Sequence, residues 1–314
     1  MLGASMRITV IGARGQVASA LAERSSAAMP VSRLGRPRFD LETISDMRAA
    51  IASTRPDVVI NAAAFTNVEE AECHSDRAFK VNTESAAKVA SIAHSLGVPL
   101  IHLSTEYVFD GESPLPYSET DTAMPLNVYG HSKLAGEYAV MAETDNHAIL
   151  RTSWIYSVSS WNFFSKIRAQ ARQKTEVQVI ADRLGAPTSA FELAWGIERI
   201  AHNLITSHGA HWRGIFHMTC GGETSWAGFA REIIARSPEA SIAGTIVHPI
   251  PTGHFPELAR RPTNSRLNND RVRKVHGVVL APWQDALAAV MIRLRDTHQP
   301  AEMLAIDQKA AAAA

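Results

Sequence analysis

A chain of 314 residues with 46% hydrophobic and 20% charged residues has a globular composition, with length for one large or two small domains. Lysine plus arginine and aspartate plus glutamate each number 31, so no net positive field exists to hold nucleic acid or an anionic membrane. The two cysteines, Cys73 and Cys220, are far apart and show no CxxC or His/Cys zinc spacing, which excludes a disulfide scaffold, calls for no metal and points to a reducing, cytoplasmic compartment.

Residues 6–11 (MRITVI) form a β-branched run that stops at glycine, the pattern of a buried strand. Residues 16–28 follow with helical spacing, and 31–34 form a second short strand that ends in Gly35-Arg36-Pro37. Residues 44–53 read as helix, 57–63 (DVVINAA) as buried strand, and 77–96 as one long amphipathic helix ending at Gly97. Then come a strand over 98–104, a helix over 129–142 and a strand over 148–153. Strand and helix alternate through short links, which predicts an α/β fold: a doubly wound parallel sheet with helices on both faces. Beyond residue 155 the alternation loosens around Gly185–Pro187, Gly221-Gly222 and 249–256, so a second, smaller domain is expected. The expected division is a dinucleotide-binding Rossmann domain over 6–155, a mainly substrate-binding domain over 156–298 that exchanges strands with the first, and a tail over 299–314. Residues 1–5 are too short for a secretory signal, and no apolar run is long enough to span a membrane.

The GARGQVA segment, Gly12 to Ala18, sits between the first strand and the first helix. Glycines there permit a tight turn and let a pyrophosphate approach the positive end of the helix. Gly12 and Gly15 are therefore candidate cofactor-binding residues, with Arg14 between them. After the second strand, an acid would take a ribose 2′-hydroxyl and an arginine a 2′-phosphate. Arg33 and Arg36 come first, and Asp40 with Leu41 only later, which favours NADPH, with NADH as the alternative.

Tyr129 and Lys133 form a YxxxK pair, one turn apart on one helix face. A nearby ammonium depresses a phenol's pKa, so Tyr129 is expected to act as an acid–base group with Lys133 as its partner. Thr105 ends the fourth strand, where a doubly wound sheet opens its ligand crevice, and is the third candidate.

Seven ordered segments now point one way: GARGQV, PDVVINAAAFT, STEYVFDG, PLNVYGHSKLAGE, RTSWIY, DRLGAPT and RRPTNSRL. With them the chain resembles the extended short-chain dehydrogenase/reductases, and among these the reductases of nucleotide-linked 4-keto-6-deoxysugars. The resemblance implies hydride reduction of a sugar keto group, the substrate being most similar to dTDP-4-dehydrorhamnose. It implies Tyr129 as proton donor, Lys133 as its partner and cofactor anchor, and Thr105 as the third member. Gly15, Gln16 and Val17 would cradle the cofactor pyrophosphate, Ala64, Phe65 and Thr66 would line the cofactor, Glu106 and Trp154 would hold the sugar, and Arg261 and Asn264 the nucleotide diphosphate. Glu106 stands where that family usually has Asp, and Arg183 where it has Gln, which bears on the particular sugar. Two other tasks are open to such a chain: a non-catalytic binding subunit like the β subunit of methionine adenosyltransferase, and an epimerase that retains NAD. Self-association into a homodimer is also open.

Overall fold

The computed structural model describes residues 5–43, 46–239, 241–254 and 256–296. The tail expected over 299–314 and the first two residues, 44–45, of the expected second helix lie outside the described residues. The first half runs β1 (Ile8–Ile11), α1 (Gln16–Glu23), β2 (Val31–Leu34), α2 (Met47–Ser53), β3 (Val58–Asn61), α3 (Val68–Cys73), α4 (Ser75–Phe79), α5 (Ser85–Ser95), β4 (Leu100–Thr105), α6 (Val128–Glu143) and β5 (His147–Thr152). The second half runs β6 (Ile155–Tyr156), α7 (Phe163–Ala171), β7 (Glu176–Ile180), β8 (Leu184–Gly185), β9 (Thr188–Ser189), α8 (Ala190–Thr206), β10 (Gly214–His217), β11 (Thr224–Ser225), α9 (Trp226–Arg236), β12 (Ile246–Ile250), α10 (Asp270–His276) and α11 (Trp283–Asp296).

Six strands form one sheet in the order β10-β5-β4-β3-β1-β2, with every neighbouring pair parallel. Its strands are apolar on both faces because helices cover both. Val58, Ile60, Ala148 and Leu150 point into a core shared with α1, α8 and α9. Val59, Leu100 and Ile149 point the other way, into a core shared with α2, α5 and Val140 of α6. Chain connections leave β1 toward β2 on one side and β3 on the other, so a crevice opens at the carboxyl ends of these strands.

The expectations fail locally where side chains compete with the backbone. The first helix stops at Glu23 rather than at residue 28, because the Ser25 and Ser26 hydroxyls accept the amides of Val31 and Met29 and turn the chain into β2. The single helix expected over 77–96 is interrupted by a π turn at Lys80–Glu84, a feature common at functional sites. Beyond β5, β10 returns to the main sheet beside β5, and α8 packs on the face that holds α1. The parallel pair β7–β12, with α7 and α9 against it, forms the layer beside this sheet.

Candidate active site

The glycine loop leaves β1 at Gly12, whose φ of +114° lies where side chains are strained. A Cβ there would press within 3.3 Å of the Ala62–Ala63 backbone. Gly15 is the N-cap of α1 and supplies no side-chain cap, so the first amides of that helix stay open to an anion. Gly12, Arg14, Gly15, Arg36, Asp40, Leu41, Ala64 and Thr66 all line one cleft of about 410 Å³. Three other expected cofactor residues sit differently. Val17 is buried in the core, while the Gln16 side chain donates to the Ile155 carbonyl (3.3 Å) and accepts from Asn162 (3.1 Å). Phe65 is gripped through its backbone: its amide donates to Asn82 Oδ1 (2.8 Å) and its carbonyl accepts from Asn82 Nδ2 (3.1 Å). Arg33 is engaged in the loop itself, donating to the Ala13 carbonyl at 2.9 Å, which leaves Arg14 and Arg36 as the arginines lining the cleft.

Helix α6 starts because Asn127 caps it, accepting the Gly130 amide at 2.8 Å, while Glu72 accepts the Val128 amide at 2.8 Å. The helix lies so close to the segment after β4 that a Cβ at Gly130 would fall 2.3 Å from the Tyr107 carbonyl oxygen. This approach brings Tyr129 edge-on to Tyr107, ring centroids 5.7 Å apart, and its phenol against the Thr105 hydroxyl. The structure corrects one expectation. Lys133 does not depress the Tyr129 pKa: its ammonium is turned down to the Leu103 carbonyl (2.7 Å), with His102 Nε2 at 3.4 Å. Burial, and then the nearby Glu106, hold the Tyr129 pKa above the usual phenol range, with Thr105 opposing. A phenol in this state keeps its proton at neutral pH, as a proton donor must. Lys133 is only 2% exposed, and burial pulls its pKa down to about 8 against the opposing charge of Glu137.

Glu106 is 4% exposed, and its Oε2 accepts the Thr105 hydroxyl at 2.8 Å. Burial pushes its pKa up to about 7, against bonds from Thr105 and Ser265. Beyond Tyr107 opens a large cleft, about 1240 Å³, between α7, β7 and the 256–261 segment. Arg183, Arg261 and Trp226 line it. Arg261 sits between Glu69 (2.6 Å) and Glu257 (3.2 Å), and Arg183 is clamped on Glu257 through both terminal nitrogens, one at 2.8 Å. Trp154 is held at φ +48° and stacks on Trp226 at 3.7 Å, against the face of Gly185. The Asn264 amide is engaged elsewhere: its protons go to the carbonyls of Ser113 (2.7 Å) and Leu115 (2.8 Å), tying down the loop after Phe109.

Four residues escaped the sequence reading as parts of the site. Asn82, on the π turn, also donates to Ser132 Oγ (2.9 Å) and so ties the segment after β3 to the helix carrying Tyr129 and Lys133. Glu69, in the first turn of α3, also accepts the Leu258 and Ala259 amides at 3.0 and 3.1 Å and fixes the cleft rim. Glu137 and Arg151 pair beneath the site at 2.6 Å, with the Ser104 hydroxyl donating to the same carboxylate. The only sequence signal for Glu137 was its place one turn beyond Lys133.

A family model described as RmlD substrate binding domain matches residues 6–295. A dTDP-4-dehydrorhamnose reductase of Sinorhizobium fredii is 42% identical over 281 residues, covering 90% of this chain and 95% of the relative. One from Burkholderia thailandensis is 38% identical over 291 residues, covering 90% and 97%. Among solved structures, a dTDP-4-dehydrorhamnose reductase of Bacillus anthracis in complex with NADP superposes with a TM-score of 0.85 at 29% identity, covering 92% of this chain and 99% of that one.

Proposed function

The chain belongs to the RmlD substrate binding domain family of NAD(P)H-dependent nucleotide-sugar reductases, and from that premise we propose that it reduces the C4 keto group of dTDP-4-dehydro-L-rhamnose to give dTDP-L-rhamnose. The observation that carries this reading is the Tyr129 phenol, neutral and set against Thr105 at the carboxyl end of β4. Tyr107, its ring neighbour, lines the large cleft.

The residues of the smaller cleft fit NADPH. The open amides of the α1 N-terminus suit a pyrophosphate, Gly12 leaves no side chain in its way, and Arg14 and Arg36 can meet a 2′-phosphate. When bound, the nicotinamide supplies hydride to the sugar C4. Tyr129 gives its proton to the developing alkoxide, and Thr105, hydrogen-bonded to the phenol, holds it in line. Lys133, buried one turn beyond Tyr129 on the same helix face, is the expected anchor for the ribose. The nucleotide sugar takes the large cleft. Its diphosphate faces Arg261, which Glu69 and Glu257 hold in place, and Trp154 flanks the sugar.

The test is oxidation of NADPH, followed by loss of reduced-nicotinamide absorbance, across a panel of nucleotide 4-keto sugars. The expected best substrate is dTDP-4-dehydrorhamnose. Turnover confined to another sugar would overturn the substrate, and no turnover at all would overturn the reaction.

Arg36→Ala is expected to weaken NADPH binding about 10-fold more than NADH binding, because a charge-assisted contact to the 2′-phosphate is lost. Titration of both cofactors by nicotinamide fluorescence checks this. Equal losses would leave the selection to Arg14.

A further inference from the structure

We propose that Glu106 stores the proton that resupplies Tyr129, passing it through the Thr105 hydroxyl. The inference rests on the reductase reading above and adds a proton path to it. Glu106 acts through Thr105 and is thus a positioning residue in the chemical step.

The geometry around Thr105 Oγ1 carries the argument. A hydroxyl donates one hydrogen bond and accepts two. Thr105 Oγ1 accepts the Tyr107 amide at 3.1 Å, faces the Tyr129 phenol and meets Glu106 Oε2 at 2.8 Å. Three partners fill its capacity in either direction. With Glu106 ionised, Thr105 donates to Glu106 and accepts from Tyr129. With Glu106 protonated, Glu106 donates to Thr105, which donates to Tyr129. The Tyr107 amide is unchanged in both states and fixes the threonine rotamer. The carboxyl is buried, held by the hydroxyls of Thr105 and Ser265, and faces Tyr129 of α6 and Tyr107 of its own turn. The cations Arg261 and Arg183 act on Tyr107, and the Lys133 ammonium is turned to Leu103. A pKa near 7 keeps both states populated at neutral pH.

The step balances. A C–H bond forms at the keto carbon with the nicotinamide hydride, and the C=O π pair moves to oxygen. The Tyr129 O–H bond breaks as the sugar O–H forms, leaving a phenolate. Thr105 then gives its proton to the phenolate while taking one from Glu106, and the Glu106 carboxylate is reprotonated from solvent. Protonated Glu106 also removes the negative charge that holds the Tyr129 pKa up, so Tyr129 is then the stronger acid.

The experiment compares wild type, Glu106→Gln and Thr105→Val. Two readouts are used: pH-difference infrared spectra of the protein without cofactor, and kcat and KM against pH with dTDP-4-dehydrorhamnose. In wild type, kcat should fall as pH rises through about 7, and one carboxyl should titrate in the same range. Glu106→Gln should remove that carboxyl band, lower kcat about 10-fold or more and abolish the limb, with KM changed by less than about threefold. Thr105→Val should keep the band yet lose the limb, and it decides the matter if Glu106→Gln does not fold. A limb that survives in either variant overturns the relay, as does a Glu106→Gln loss confined to KM, which would make Glu106 a sugar-holding group only. A wild type without turnover sinks the reductase reading and the relay together. A wild type that turns over with an unchanged limb in the variants sinks the relay alone.

Discussion

Tyr129→Phe lowers kcat by about 10²–10⁴-fold, the range typical of losing a general acid, while NADPH affinity stays within about threefold of wild type. The hydroxyl acts only in the chemical step, as the proton source for the alkoxide. The ring does the packing: it meets Tyr107 edge-on at 5.7 Å, a contact phenylalanine retains. The α6 cap at Asn127 and the close approach at Gly130 involve no atom of the phenol. The fold and the cofactor cleft should therefore survive, and steady-state turnover beside a cofactor titration separates the two effects. A variant retaining more than about a tenth of wild-type kcat would remove Tyr129 as the proton donor.

Glu137→Ala destabilises the protein by about 3–5 kcal/mol, the usual consequence of breaking one side of a buried ion pair. Glu137 is fully buried and Arg151 is 3% exposed. Their carboxylate–guanidinium contacts run through Nε at 2.9 Å and Nη2 at 2.6 Å, and the Ser104 hydroxyl closes the carboxylate's remaining side. Removing Glu137 leaves a guanidinium in the core without its carboxylate, facing the Phe109 ring 5.1 Å away. It also removes the charge that supports protonation of Lys133, so the Lys133 pKa should fall further below its ordinary value. The shift in the urea midpoint at constant m-value measures the stability loss. A loss below about 1 kcal/mol would mean that water reaches Arg151.

These two residues show where sequence reading succeeds and where it stops. Tyr129 and Lys133 stand four apart, and any helix places such a pair on one face, so their proximity needed no tertiary knowledge. Glu137 extends the same face by one turn, but its meaning depends on Arg151 and Ser104, on two other elements. The direction of the Lys133 ammonium was likewise illegible, since it is the Leu103 carbonyl, at the end of β4, that captures it. The π turn could not be read because it exists for contacts across the fold: Asn82 grips Phe65 and Ser132, 17 and 50 residues away.

By itself the sequence determined the parallel sheet, the glycine loop at its first strand and the position of the tyrosine–lysine pair. Each follows from local periodicity, from the backbone freedom of glycine at φ +114°, or from a four-residue helical spacing. Tertiary structure alone decided the state of the site. The Tyr129 and Glu106 pKa values are raised because burial strips water from both groups, and burial is a property of the packed whole. The pairing of Arg183 and Arg261 with Glu257 and Glu69 joins segments up to 192 residues apart, and no spacing rule connects charges that meet only when two layers of the fold close on each other.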